Sequence, residues 1–294
     1  MRYSTISFPG LGIEVNPGYQ FELGPLTIRY YGLLIALGLL LAVIYGMRRK
    51  EQFGLTQDDI LDGILIIVPI AVIFARAYYC IFSWEEYAAN PIEVLYIWKG
   101  GLAIYGGVIG ALLGIIVYIK VKKLSLGSVL DITSLGFLIG QAVGRWGNFF
   151  NREAFGETTD FFLRMGLKNS YTGAVVYHHP TFLYESVWNA VGFVLLHFLS
   201  KRRRYDGQIA LGYVAWYGLG RAFIEGLRTD SLYWGQFRVS QVLAAASCLI
   251  AIAVLLWQAF RSHDPADLFA NRVAAKAAAD AAAAELAKKT DTEA

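Results

Sequence analysis

Long apolar runs, closed at alternate ends by clusters of arginine and lysine, set the pattern of this chain. Runs at about 30–47, 60–82, 102–119, 126–146, 181–200, 208–226 and 239–260 predict seven helices of membrane-spanning length, since a span needs about 20 apolar residues. Before the first run, Pro9, Gly10, Gly12, Pro17, Gly18, Gly24 and Pro25 break the chain into turns and short strands outside the bilayer. That stretch has no basic region leading into a short apolar core, so no cleavable leader is expected. Thr56, three residues before Asp59, marks a helix start. A short aromatic loop with Trp84, Tyr87, Pro91 and Trp98 follows the second run. The polar stretch at about 148–180 is too long for a turn and predicts a small external subdomain between spans four and five. The alanine-rich stretch 274–285 has high helix propensity but little to bury. The chain thus divides into a seven-helix membrane domain at 1–262 and a tail at 263–294.

Charge orients these elements. Arg48, Arg49 and Lys50 close span one, Lys120, Lys122 and Lys123 close span three, Lys201 to Arg204 close span five, and Arg261 closes span seven. The other connections carry few basic residues, so the positive-inside rule places the N-terminus outside and the tail in the cytoplasm. Composition agrees with an all-α polytopic membrane protein: 56% of residues are hydrophobic and 17% charged, against about 25% charged in soluble domains. A net charge of +3 makes no case for nucleic acid. Cys80 and Cys248 both fall in apolar runs and read as small buried hydrophobes.

Two glycine ladders, Gly106, Gly110, Gly114 and Gly136, Gly140, Gly144, predict close helix packing on spans three and four. The chemistry is expected elsewhere. Gly144-Arg145-Trp146-Gly147-Asn148-Phe149-Phe150-Asn151-Arg152-Glu153-Ala154-Phe155-Gly156 ends span four. A charged group at mid-membrane costs roughly 2.5–3.5 kcal/mol on insertion scales unless it has a partner. One arginine there would be an ordinary helix end snorkelling to the interface, but the whole cluster points to use. On span six, Tyr217, Arg221, Glu225 and Arg228 fall within an arc of about 80° on one helix face, where Arg221 and Glu225 can pair along the helix. Arg221 lies about 20 Å from the inner end of its span, at a depth similar to that of Arg145. Two arginines facing an outward cavity suit a phosphate, whose oxygens match the planar fork of a guanidinium, and a phospholipid headgroup is the abundant phosphate at that depth. A purely structural pairing of Arg221 with Glu225 or Glu153 is the competing reading.

Tyr105 on span three and Tyr31 on span one are either hydroxyl donors or interfacial aromatics. Adjacent His178 and His179 lack a third ligand at metal-binding spacing, and His197 stands alone as a packing residue. No nucleophile elbow, phosphate loop or dinucleotide fingerprint is present. An anionic-lipid transporter or binding protein would also want outward arginines but would usually show internal repeats. A non-catalytic assembly factor would explain the glycine ladders without the charged cluster.

The stretch Gly144 to Gly156 resembles the signature of prolipoprotein diacylglyceryl transferases, Gly-Arg-x-Gly-Asn-Phe-x-Asn-x-Glu-x-x-Gly, with every fixed position met. Tyr31-Gly32, Gly100-Gly101 with Gly106-Gly107, His179-Pro180 with Leu183-Tyr184-Glu185, and Tyr217-Gly218 with Arg221 and Glu225 are similar to the family in the same order, from about Pro9 to Phe260. The resemblance implies seven spans in the bacterial cytoplasmic (inner) membrane and a site facing the outer leaflet. It implies transfer of the diacylglyceryl group of phosphatidylglycerol to the lipobox cysteine of a preprolipoprotein, with no cofactor and no metal. Arg145 and Arg221 would hold the phosphate, Asn148, Glu153 and Gly156 would shape the site, Tyr31 and Tyr217 would line it, and Glu225 would orient Arg221. Arg76, Asn151, His179 and Arg228 complete the expected substrate-binding set. Tyr105 stands where many members carry a histidine proposed as the base, and a phenol is a poor base at neutral pH. Phe182 stands where others often have glutamine, which removes a hydrogen-bond partner near His179.

Overall fold

The computed structural model describes residues 3–24, 26–229, 233–235 and 237–293. In chain order its elements are β1 (Tyr3–Phe8), β2 (Ile13–Val15), β3 (Gln20–Leu23), β4 (Leu26–Arg29), α1 (Tyr30–Arg49), α2 (Gln57–Phe82), α3 (Trp84–Tyr87), α4 (Ile104–Lys122), α5 (Leu126–Asn151), β5 (Met165–Asn169), β6 (Val175–His178), α6 (Thr181–Ser200), α7 (Gln208–Glu225), β7 (Tyr233–Trp234), β8 (Phe237–Arg238), α8 (Val239–Ala259) and α9 (Phe269–Glu293). Among the described residues, α1, α2, α4, α5, α6 and α8 are long and apolar enough to cross a membrane. The chain is therefore a polytopic membrane protein built of helices. The remaining expected span, α7, is helical over 18 residues but is not among those six. It carries Arg221 and Glu225, and packs between α6 and α8.

The chain forms two compact units, Met1–Gly46 with Leu130–Pro265, and Met47–Val129 with Ala266–Ala294. In the first, β2-β1-β5-β6 make one antiparallel sheet. The expected external subdomain is thus a shared structure: half its strands come from the N-terminal segment and half from the connection between α5 and α6. Ile6 pairs with Leu167, both fully buried, and with Phe8, Met165 and Phe182 they form a small core. The alternation of β1 turns these side chains inward. Arg152 fastens this layer to the end of α5. Its guanidinium donates to the carbonyl oxygens of Ser4 (2.7 Å), Pro17 (2.7 Å) and Phe150 (3.1 Å) and to Asn16 Oδ1 (3.0 Å).

Helix α5 continues to Asn151, past the predicted end at Trp146. Hydropathy falls after Val143, but what stops the helix is backbone geometry: Arg152 and Ala154 both adopt positive φ, 54° each. Non-glycine residues in that region cost about 1–3 kcal/mol each, so the turn holding Glu153 between them is one the surroundings enforce. The ladder on α5 meets α1: an ideal Cβ at Gly38 would lie 3.2 Å from Gly140, and one at Gly136 3.4 Å from Ala42.

In the second unit, Thr56 and Asp59 form the expected capping box, with Asp59 N donating to Thr56 Oγ1 (3.1 Å) and Thr56 N to Asp59 Oδ2 (2.9 Å). The ladder on α4 packs on α2: a Cβ at Gly106 would lie 2.4 Å from the carbonyl oxygen of Phe74. Both cysteines are buried and free. The tail forms α9, whose first residues Phe269 and Ala270 rest on Gly54, while residues 271–285 are exposed.

Candidate active site

The last two turns of α5, the first two of α6 and the second half of α7 converge in the first unit. Arg145 leaves α5 and places Nη2 2.6 Å from Glu185 Oε2. Arg221 leaves α7 with Nη1 3.3 Å from Glu185 Oε1, and its Nη2 pairs with Glu225. Arg228, just beyond α7, brings Nη1 to 3.3 Å from the same Glu185 Oε1. One carboxylate, 4% exposed in its side chain, therefore serves three guanidiniums. Three guanidiniums thus gather on Glu185, with Glu225 beside Arg221. A buried ion pair survives only when its charges are compensated and its hydrogen-bonding groups satisfied. Here Arg145 turns Nη2 to Glu185 and Nη1 to Asn148, and Arg221 turns Nη1 to Glu185 and Nη2 to Glu225, while both side chains stay partly accessible, at 23% and 19% exposure. The arrangement can take an anion.

A second network extends outward from Arg145. Its Nη1 donates to Asn148 Oδ1 (3.3 Å), Asn148 Nδ2 donates to Glu153 Oε1 (3.1 Å), and Asn151 Nδ2 donates to the same oxygen (3.0 Å). The positive-φ turn described above folds Glu153 back onto the helix that carries both asparagines. Gly156 sits where no side chain fits: a Cβ would lie 2.7 Å from His179 Cβ and 2.8 Å from the carbonyl oxygen of Leu227. Its N–H donates to the His179 carbonyl (2.9 Å), and its carbonyl accepts from His178 Nδ1 (2.9 Å). Because a carbonyl can only accept, His178 carries its proton on Nδ1. Burial pushes the His178 pKa below its ordinary value, and the Gly156 hydrogen bond offsets this in part. Gly156 thus ties the end of the signature to the start of α6 and to the residues after α7.

Tyr31 lies on α5 at Gly147, where a Cβ would meet its ring at 2.5 Å. Tyr217 stacks on Tyr213 (5.6 Å between centroids) and, with Glu185, Trp188, Asn189, Gly220, Arg221 and Ile224, lines a narrow cleft between α6 and α7 with room for about one water molecule. His179 places Nδ1 3.3 Å from the Tyr184 hydroxyl. Phe182, at the position that departs from the family pattern, is 5% exposed and packs its ring against Trp146 (5.4 Å) and Phe149 (5.2 Å). An apolar contact takes the place of a hydrogen bond there.

The structure therefore brings Arg145, Asn148, Asn151, Glu153, Gly156, His179, Tyr217, Arg221, Glu225 and Arg228 into linked networks. Arg76 and Tyr105 belong to the second unit. Arg76 is buried, with Nε on the Val94 carbonyl (2.8 Å), Nη1 on those of Gly100 (2.6 Å) and Gly101 (3.0 Å), and Nη2 on that of Glu93 (2.7 Å). The expectation that it binds substrate meets a guanidinium already engaged in holding the 93–101 loop. Tyr105 stands in the first turn of α4, 58% exposed.

Sequence reasoning quoted Glu185 without giving it a role. The signal was present: it is the one carboxylate within α6, so the cost argument that singled out Arg145 applied to it equally. Trp188 and Trp216 had no such signal. Their indoles stack at 4.3 Å, and each Nε1–H donates to the other's carbonyl (2.9 Å both ways). Each ring also covers the other helix's glycine, Gly220 or Gly192. This reciprocal lock fixes α6 on α7, and with it the distance from Glu185 to Arg221.

Comparison with known proteins places a family pattern on this geometry. The family described as prolipoprotein diacylglyceryl transferase matches residues 19–257. The chain is 40% identical to the phosphatidylglycerol–prolipoprotein diacylglyceryl transferase of Listeria welshimeri over 263 residues, covering 87% of this chain and 95% of that protein. It is 42% identical to the protein of the same name from Bacillus velezensis over 259 residues (86% and 95%). For that of Bacillus licheniformis the identity is 43% over 260 residues (85% and 95%).

Proposed function

This chain belongs to the prolipoprotein diacylglyceryl transferase family, and from that membership we propose that its arginine cluster transfers the diacylglyceryl group of phosphatidylglycerol to the lipobox cysteine of a preprolipoprotein. The observation that carries the reading is Glu185 holding Arg145, Arg221 and Arg228 together, with the Arg145 and Arg221 side chains partly accessible.

The reaction forms one bond and breaks one. The substrate thiolate attacks the glyceryl methylene next to the phosphate, a C–S bond forms, and the C–O bond to the phosphate breaks. Glycerol phosphate leaves with the bonding electron pair, and the proton lost by the thiol ends on that phosphate or on solvent. The phosphate is a monoanion in the diester and gains negative charge as it departs. Guanidiniums fixed beforehand around it bind the departing state more tightly than the ground state, which accelerates the step. The same positive field favours the thiolate over the thiol, whose ordinary pKa is near 8.5. Asn148 and Glu153 steady Arg145, Glu225 steadies Arg221, and Tyr31 and Tyr217 line the approach.

The basic ends of α1, α4, α6 and α8 support a cytoplasmic-membrane topology with this site towards the outer leaflet. Purified protein mixed with phosphatidylglycerol and a synthetic lipobox peptide, followed by mass spectrometry, tests the function. The expected result is one diacylglyceryl unit added to the cysteine, and none with Arg145→Ala. Lipid binding without peptide modification would overturn the reading in favour of a transporter or binding protein.

A further inference from the structure

One hydroxyl on α6 grips the turn of α5 that carries Arg145. Ser186 is 8% exposed. Its Oγ donates to the Ala142 carbonyl (2.7 Å) and accepts from Trp146 Nε1–H (3.2 Å). A hydroxyl has one hydrogen to give, and the Ala142 carbonyl takes it. Within α5 that carbonyl also accepts the backbone N–H of Trp146, four residues on. Ala142 and Trp146 of one helix and Ser186 of the other therefore close a ring of hydrogen bonds. The indole is held at its ring as well. It meets Phe182, one turn before Ser186 on α6, at 5.4 Å, and Phe149 at 5.8 Å.

Both members of the Arg145–Glu185 pair adjoin this grip. Arg145 precedes Trp146, and Glu185 precedes Ser186. Pinning Trp146 to Ser186 fixes how far apart the backbones of their neighbours stand, and the two charged side chains then meet at 2.6 Å. Packing of Phe182 alone would not set that register, because apolar contact is non-directional whereas a hydrogen bond is directional. The Trp188–Trp216 lock acts on the other side of Glu185, towards Arg221. A guanidinium fork has to stand where the leaving phosphate will be, and a displacement of about 1 Å can cost about a hundredfold in rate.

We propose that Ser186 is a positioning residue for the transfer: gripped by Trp146 and Ala142, it sets Glu185 against Arg145 and so aims the Arg145 fork at the leaving phosphate. This rests on the transferase reading above and adds to it the residue through which Glu185 is placed.

The test follows transfer from phosphatidylglycerol to one lipobox peptide by wild type, Ser186→Ala, Glu185→Gln and the double variant, with rates taken per mole of folded protein. Ser186→Ala should lower kcat about tenfold and leave KM for lipid and peptide within about twofold, because the aim of the fork counts only as the phosphate departs. Added to Glu185→Gln, the same change should cost no more than about twofold, since the charge it places is already gone. Trp146→Phe removes the indole N–H and keeps a ring against Phe182. It should lower kcat by about threefold, a loss that likewise disappears beside Glu185→Gln, and it provides the reading if the alanine variant does not fold. An unchanged kcat, a loss carried by KM alone, or an equal loss with and without Glu185→Gln would assign Ser186 to helix packing and overturn the proposal while leaving the transferase reading intact. A wild type that transfers nothing would overturn both.

Discussion

A carboxylate with three guanidinium partners is held more firmly than any of them. Glu185 touches Arg145, Arg221 and Arg228, so removing its charge takes the shared carboxylate from three largely buried guanidiniums. Breaking a buried pair from one side costs about 3–5 kcal/mol. Glu185→Gln should destabilise the protein by that order and lower transfer at least about a hundredfold. Arg228→Gln should cost less when added to Glu185→Gln than on its own, because the carboxylate it shares is already neutral, and a double-mutant cycle in thermal melts measures this coupling. Equal, additive losses would mean that Arg228 does not depend on Glu185. His178 gives a pH dependence. Its folded pKa lies below its unfolded value because burial disfavours the charged ring. The unfolded chain therefore takes up a proton first, so stability present above about pH 6.5 is lost as pH falls below it. Melting temperature should drop by a few degrees from pH 7.5 to pH 5.5, and His178→Gln should flatten this component. Arg145, Arg221 and Glu225 were legible in the sequence because ionisable groups in apolar runs need partners. The Arg221–Glu225 pair was legible from its i,i+4 spacing, but the partnership of Glu185 with Arg228 was not, because they meet only through the fold, 43 positions apart.

The elements were legible to the extent that hydropathy governs them. Six apolar runs became helices of spanning length, and the capping box at Thr56 formed where its spacing placed it. The end of α5 was misplaced because its last turn mixes asparagine with phenylalanine yet stays helical, held by the Asn148, Asn151 and Glu153 hydrogen bonds and by Phe149 packing on Phe182. The start of α7 depends on Asp131 of α5. This fully buried carboxylate accepts from the N–H groups of Gly207, Ile209 and Ala210, at 2.9 Å each. A capping residue so distant in sequence leaves no local signal. The same holds for the Trp188–Trp216 lock, where a period-four pairing of tryptophan and glycine on each helix becomes meaningful only once the helices face one another. Trp188→Phe keeps a ring over Gly220 but loses the Nε1–H bond to Trp216. It should cost about 1 kcal/mol and raise KM more than it lowers melting temperature, as Arg221 drifts from Glu185. Thermal melts and steady-state kinetics on the one variant separate the two effects. A melting loss with unchanged kinetics would show that the lock serves stability alone.

At the scale of the molecule, the first unit combines an apolar helical frame with a polar layer stitched on by Arg152. The N-terminal segment read as turns and short strands in sequence, but the sheet they join was not legible, because pairing with β5, more than 150 residues away, creates it. That layer holds Gly156 and His178 in place, and through them the register of α6 on which Glu185 depends. The central claim is that this frame exists to stabilise a phosphate as it leaves. The most direct measurement counts both products in one reaction, thioether-linked peptide by mass spectrometry and water-soluble glycerol phosphate from headgroup-labelled phosphatidylglycerol. Wild type should yield the two in equal amounts, and Arg145→Ala should yield neither while still folding. Release of free glycerol or of diacylglycerol without thioether would mean that a different bond is cut, and would contradict the account.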